Sequence, residues 1–446
     1  MTNVLDPFDQ AFVCEERASG ITNALQVGWM YNRPISVDGL RQFHDHLRRG
    51  PVCRRIQRSP LPFGRDRWVA LEDQPELEIV ATPRPREQFE AWLDEQAETP
   101  LDAEHGPVWR CAVLPFTDGG AGMSAIASHC VIDGVGFCQA LVEAACGHDN
   151  AIDWPTAASR RRWRALREDA GQTVRDLPSI GRATVAAARF LRENIGRDNN
   201  SSTGPASPPP ATPAAADERI ALPAVTTFID AEQWECRARA LGGTENTLLA
   251  AFVAQLSRRM GRVAADGSVT LLVPINERTV GDNRANAVTA VEITVAPTLA
   301  ATDLRELRAT MKDALIRSRE TPYERLALLP LAPVVPQRLM KRLGDMDVDP
   351  GRSVASNIGT APRGLALPDG ADADHVAGRT VVHANRSTMD RRGGLLVLSL
   401  GILEGEIALS TVAYRPYHRN SKDDLRQHLR NTLSDFSLTA TIGWPV

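Results

Sequence analysis

Ser128-His129-Cys130-Val131-Ile132-Asp133-Gly134 is the stretch on which the reading of this chain turns. It follows an apolar run, Met123–Ala127, and precedes a helix-like one, Phe137–Cys146. This order predicts a histidine at the end of a buried strand, ahead of a tight Asp-Gly turn in which Gly134 permits a close approach that a Cβ would obstruct. Histidine has an unperturbed pKa near neutrality, so a rigidly held His129 suits a general base. Three fixed positions, His-x-x-x-Asp-Gly, also arise by chance. The plain alternative is a strand that ends in a turn, with His129 a hydrogen-bonded, partly buried side chain.

The flanks extend the pattern. Pro100-Leu101-Asp102 and Pro107-Val108-Trp109 lead into Cys111–Phe116, and Asp118-Gly119-Gly120 separates that run from the one before His129. Two apolar segments about a short Gly-rich turn predict a β-hairpin.

With these neighbours the chain resembles the coenzyme-A-dependent acyltransferase superfamily. That group takes in chloramphenicol acetyltransferases, peptide-synthetase condensation domains, wax ester synthase/diacylglycerol acyltransferases and polyketide-associated acyltransferases. Leu101, Asp102, Pro107 and Trp109 stand where the family has Pro-Leu-Asp…Pro-Leu-Trp, and His129, Asp133 and Gly134 fit its His-His-x-x-x-Asp-Gly. Leu271–Arg278, with Asn283 or Asn286 after it, is similar to the Val-Pro-x-x-x-Arg…Gly-Asn segment. Ser356-Asn357-Ile358-Gly359 is similar to Ser-Asn-Val-Pro-Gly of the wax ester synthase branch, as are Asp9–Phe12, Cys53–Arg58 and Trp68. One departure is Ser128, where the family usually has the first of two histidines; serine can still offer a hydrogen bond.

The resemblance implies an α/β (α+β) fold of two chloramphenicol-acetyltransferase-like subdomains with a substrate tunnel between them. It implies acyl transfer from acyl-CoA, or from the phosphopantetheine of an acyl carrier protein, to an alcohol and less readily an amine, forming an ester. His129 would be the catalytic base. Asp133, Gly134 and Arg278 would structure its loop, with Arg17 the second candidate for the partner of Asp133. Ser128, Ser356 and Asn357 would lie at the substrate, and a backbone N–H near Gly134 is a candidate oxyanion donor. No metal is implied, and no cofactor beyond the coenzyme A thioester as substrate. Two alternatives stay open: a free-standing condensation-type enzyme making an amide or ester on carrier-bound substrates, and a non-catalytic relative that binds lipid or a partner, for which Ser128 is the support.

Composition is compatible with this. A chain of 446 residues is long enough for two cores, and a net charge of −4 gives no bias toward nucleic acid. Seven cysteines without a Cys-x-x-Cys argue against a disulfide framework and for a reducing compartment. Cys130 is a weaker candidate nucleophile. No Gly-x-Ser-x-Gly elbow, Walker loop or Gly-x-Gly-x-x-Gly fingerprint occurs. The first residues lack signal-peptide features and no apolar run is long enough for a bilayer, so a cytoplasmic protein is expected, with peripheral membrane contact an open alternative.

The chain divides into 1–197, a Pro- and Ala-rich crossover at 198–217, and 218–446. Strands are expected at 224–229, 269–273, 288–295, 395–402 and 407–413, with helices at 231–240, 245–260, 303–319 and 422–435. The basic segment 159–197 has two readings: a membrane-surface helix, or a helical pair packed on the domain by its apolar face. Glu168, Asp169, Asp176 and Glu193 dilute its charge and favour the second.

Overall fold

The computed structural model describes residues 2–148, 151–198, 218–320, 324–346 and 352–445. Of the expected crossover, 199–217 lie outside the described residues. The first half runs α1 (Pro7–Ser19), β1 (Thr22–Tyr31), α2 (Val37–Leu47), β2 (Arg54–Gln57), β3 (Arg67–Ala70), β4 (Leu77–Ile79), α3 (Phe89–Glu98), β5 (Trp109–Pro115), β6 (Ala121–Ser128), α4 (Gly134–Ala145) and α5 (Arg162–Asp198). Local chemistry sets several of these limits. Asp6 caps α1 by accepting from the Phe8 N–H, Pro7 follows it, and Gly20 ends the helix at φ 72°. β5 and β6 form the expected antiparallel hairpin, with Pro115 opposite Ala121.

The second half supplies β7 (Arg219–Ala221), β8 (Ala224–Asp230), α6 (Ala231–Ala240), α7 (Glu245–Arg259), β9 (Val269–Asn276), β10 (Val288–Val295), α8 (Arg305–Glu320), α9 (Gln337–Met346), β11 (Arg352–Thr360), β12 (His375–Asn385), β13 (Leu395–Leu403), β14 (Glu406–Tyr414), α10 (Lys422–Asp435) and β15 (Thr441–Ile442). The expected strands and helices of this half are present. Two sheets organise the molecule. The first has the order β4-β5-β6-β1-β12-β7 and the second β10-β9-β11-β13-β14-β8-β15. β7 and β12 therefore leave the second half and complete the first sheet. β1 and β6 are its two central strands, and β6 is buried along its whole length, which its mostly small residues (Ala-Gly-Met-Ser-Ala-Ile-Ala-Ser) permit.

Each sheet has its own core. Trp29, Phe43, Trp109, Met123 and Phe137 join α2 and α4 to the first sheet. Leu248 through Ala254 and Leu256 of α7 are apolar and buried on nearly every side, as befits a helix enclosed beneath the second sheet. Trp444 ties the lobes together, its ring 4.8 Å from Phe89 on one side and 5.3 Å from Phe228 on the other. The segment read as a helical pair is one helix, α5, with Pro178 inside it. No helix among the described residues is long and apolar enough to cross a membrane.

Candidate active site

β6 stops at Ser128, and the next residues turn the chain sharply. The Ser128 N–H donates to Val108 O and the His129 N–H to Asn23 O, both at 2.9 Å, so the histidine is pinned between two neighbouring segments of the first lobe. Its ring lies 5.1 Å from that of Phe12 at 31°. It forms part of the wall of a cavity of about 640 Å³, whose lining includes Leu25 and Val27 of β1, Phe137 of α4, Ile358 of β11 and Leu400 of β13. Nδ1 is buried without a hydrogen-bond partner among the described residues, which leaves Nε2 as the nitrogen available to the cavity. Burial holds the imidazole below its usual 6.5; its own carbonyl, Asp133 and Asn286 only oppose this. The shift favours the neutral imidazole, the form that a general base requires.

Asp133 does not orient that ring. Its Oδ1 accepts from the Gly136 N–H at 2.6 Å, and its Oδ2 accepts from Arg278 Nη2 at 2.7 Å and from the Ala287 N–H at 2.9 Å. Arg278, the first expected partner, fills that role. Arg17 instead pairs with Asp66 and Glu104, at 2.7 and 2.8 Å. The Asp-Gly turn read from the sequence is a helix start: Asp133 is the N-cap of α4 and Gly134 its first residue. Both use an Asp side chain to accept a backbone N–H further on, which is why one pattern reads as either.

The close approach falls at Gly136. A Cβ there would stand 3.0 Å from the Arg278 guanidinium and from Asp133 Oδ1, whereas one on Gly134 would meet only the movable tip of Ile358 at 3.1 Å. Gly136→Ala is expected to cost about 1–3 kcal/mol in denaturant unfolding through overpacking, and Gly134→Ala less. Equal costs would contradict this account.

The ion pair belongs to a wider latch. The loop between β9 and β10 crosses from the second lobe onto the His129 loop. Asp9 of α1, fully buried, accepts from the Ala285 N–H at 2.9 Å, the Asn286 N–H at 2.8 Å and Asn286 Nδ2 at 3.1 Å. Arg54 donates through Nη1 to Asn283 O at 2.5 Å and through Nη2 to Val131 O at 2.7 Å, with its guanidinium 4.1 Å from the Trp68 ring. Burial raises Asp9 to about 6 and lowers Arg54 to about 10; each group's charge partly offsets the other's shift. Asn286 Nδ2 also reaches His129 O at 3.4 Å. Asp9, Arg54 and Gly136 were not picked out as site residues from the sequence; their partners lie far along the chain.

The remaining candidates fall in two places. Ser356 and Asn357 of β11 line the same cavity as His129. The Asn357 amide is engaged in its wall, donating to Asn246 Oδ1 at 2.5 Å and accepting from the Gly359 N–H at 2.8 Å. Ser128 instead lines a separate cleft of about 270 Å³ beside Glu16 and His383. Cys130 is buried, and desolvation together with Glu16 pushes its thiol well above the ordinary value, so it is poorly suited to attack.

No family model and no curated protein matches this sequence. Solved structures do match, over almost the whole chain. Polyketide synthase associated protein 5 from Mycobacterium tuberculosis aligns at TM-score 0.55 and 14% identity, covering 97% of each chain. A wax ester synthase/diacylglycerol acyltransferase from Marinobacter aquaeolei aligns at 0.51 and 18%, over 97% of this chain and 98% of that one. A variant of the starter condensation domain of rhizomide synthetase, in complex with C8-CoA, aligns at 0.55 and 13%, over 98% and 95%. The fold is thus the two-lobed condensation-type fold that the resemblance implied.

Proposed function

We propose that this chain is an acyltransferase that moves an acyl group from a coenzyme A or phosphopantetheine thioester to an alcohol. One observation carries the reading: a histidine in the wall of a cavity lined largely by apolar side chains, while the aspartate of its own loop is fully engaged elsewhere. Nε2 of His129 takes the hydroxyl proton as the oxygen attacks the thioester carbonyl. The C–S bond breaks, the C–O bond remains, and the imidazolium returns its proton to the leaving thiolate. Gly134 and Val135, in the first turn of α4, also line the cavity. A helix N-terminus carries partial positive charge and unsatisfied N–H groups, which suits the oxyanion. The C8-CoA held by the structurally similar condensation domain supports a thioester donor.

The test is thiol release from acyl-CoAs of graded length with mixed alcohol and amine acceptors, products being identified by mass. Acceptor-dependent release with an ester product is expected. Because the imidazole pKa is lowered, the base stays neutral to lower pH: kcat/KM should be flat through neutrality and fall on an acid limb below 6.5. An acid limb above 6.5 would contradict the neutral-histidine reading. Turnover only when donor and acceptor are both carrier-bound would favour the condensation-type alternative.

A further inference from the structure

We propose that the outward face of α5 docks this protein on an anionic lipid surface. The observation is a stripe that points away from the fold. Trp163 is 84% exposed, Val174 63%, Leu177 55% and Val185 54%. At about 100° per residue these four fall within an arc of about 80°. Ala165, Asp169 and Ala183, all buried, lie on the opposite side. From Trp163 to Val185 the stripe is roughly 33 Å long at 1.5 Å per residue.

The charges are sorted the same way. Asp169 is enclosed by Ser59, Arg67 and Arg160, Asp176 is held by Arg65, and Glu168 is bound to Arg160 and Arg164. Three of the four acidic residues that dilute this segment when it is read along the chain, Glu168, Asp169 and Asp176, are thus spent on ion pairs. Arg167, Arg175, Arg182 and Arg189 are exposed, and no acidic partner is found for them among the described residues. By the same angular count they lie together along one edge of the apolar stripe. Tryptophan favours the headgroup boundary, and arginine stems can lie along acyl chains while the guanidinium stays at the phosphates.

Charge chooses the occupant. The whole chain is acidic, at −4, yet this face presents arginine. A second copy of the same face would set arginine against arginine, whereas anionic headgroups complement it.

The test is co-sedimentation of the full chain with phosphatidylcholine vesicles, with and without phosphatidylglycerol. Binding is expected only to the anionic vesicles, weakening as salt rises. Arg167→Gln/Arg175→Gln/Arg182→Gln should weaken it about a hundredfold, each arginine contributing about fivefold. Trp163→Ser should weaken it about tenfold or more, with the fold intact because the side chain is exposed. Absence of binding at low salt, or variants that bind as tightly as the parent, would overturn the proposal. Tight binding to neutral vesicles alone would overturn its electrostatic half. None of these readouts depends on the acyl transfer proposed above.

Discussion

His129→Ala is expected to lower acceptor-dependent thioester turnover by two decades or more. A positioned general base contributes about 10²–10⁴ in rate, and here one imidazole carries that role because Asp133 is committed to Gly136, Ala287 and Arg278. Turnover should not vanish. The cavity still gathers donor and acceptor, and proximity survives the loss of the base. The substitution is also clean. Nδ1 of His129 has no hydrogen-bond partner among the described residues, so truncation breaks no bond at that atom. The backbone bond from His129 N–H to Asn23 O is untouched. Thermal unfolding of the variant should therefore lie close to that of the parent while kcat/KM collapses. A variant as active as the parent would remove His129 from the mechanism. Parent and variant equally silent toward every acyl-CoA and acceptor would favour the carrier-bound or the non-catalytic alternative.

Part of this site was legible in the sequence because it is local. An apolar run, a polar turn and a second apolar run identify β6, the His129 loop and α4 within a few residues of one another. The pairing of Arg278 with Asp133 was reached by resemblance, since 145 residues separate them. The resemblance also matched the segments that carry Asp9 and Arg54 but assigned neither residue a role. Asp9 meets Ala285 across 276 positions and Arg54 meets Asn283 across 229, and nothing in either local segment marks it as buried and charged. Sheet membership was hidden for the same reason. β12 reads as one more strand of the second half, yet it pairs with β1 along nearly its whole length. α5 shows a different gap. Its acidic residues were weighed by number along the chain, whereas the helix separates them by face, and only the folded partners Arg65, Arg67 and Arg160 show which are neutralised.

Arg278→Met should produce the largest loss of stability at the site. Both side chains of the Arg278–Asp133 pair are about one-tenth exposed, and the bond is 2.7 Å. Removing one member of a buried pair typically costs about 3–5 kcal/mol, because the other charge is left without compensation. The guanidinium also donates to the carbonyls of Arg284 and Ala285, at 3.1 and 2.9 Å, so the β9–β10 loop loses donors at the same time. That loop lines the cavity through Asn286 and Ala287, so its release should lower kcat as well as stability. Arg278→Lys should fall between, since an ammonium can satisfy Asp133 but cannot span the carbonyls with a planar fork. The double variant Asp133→Asn/Arg278→Met isolates the pair. If the two side chains act as one element, the double variant should be far less destabilised than the sum of the singles. Additive losses would mean that Arg278 serves the loop carbonyls alone, and that the His129 loop is held to the second lobe by Asp9 and Arg54.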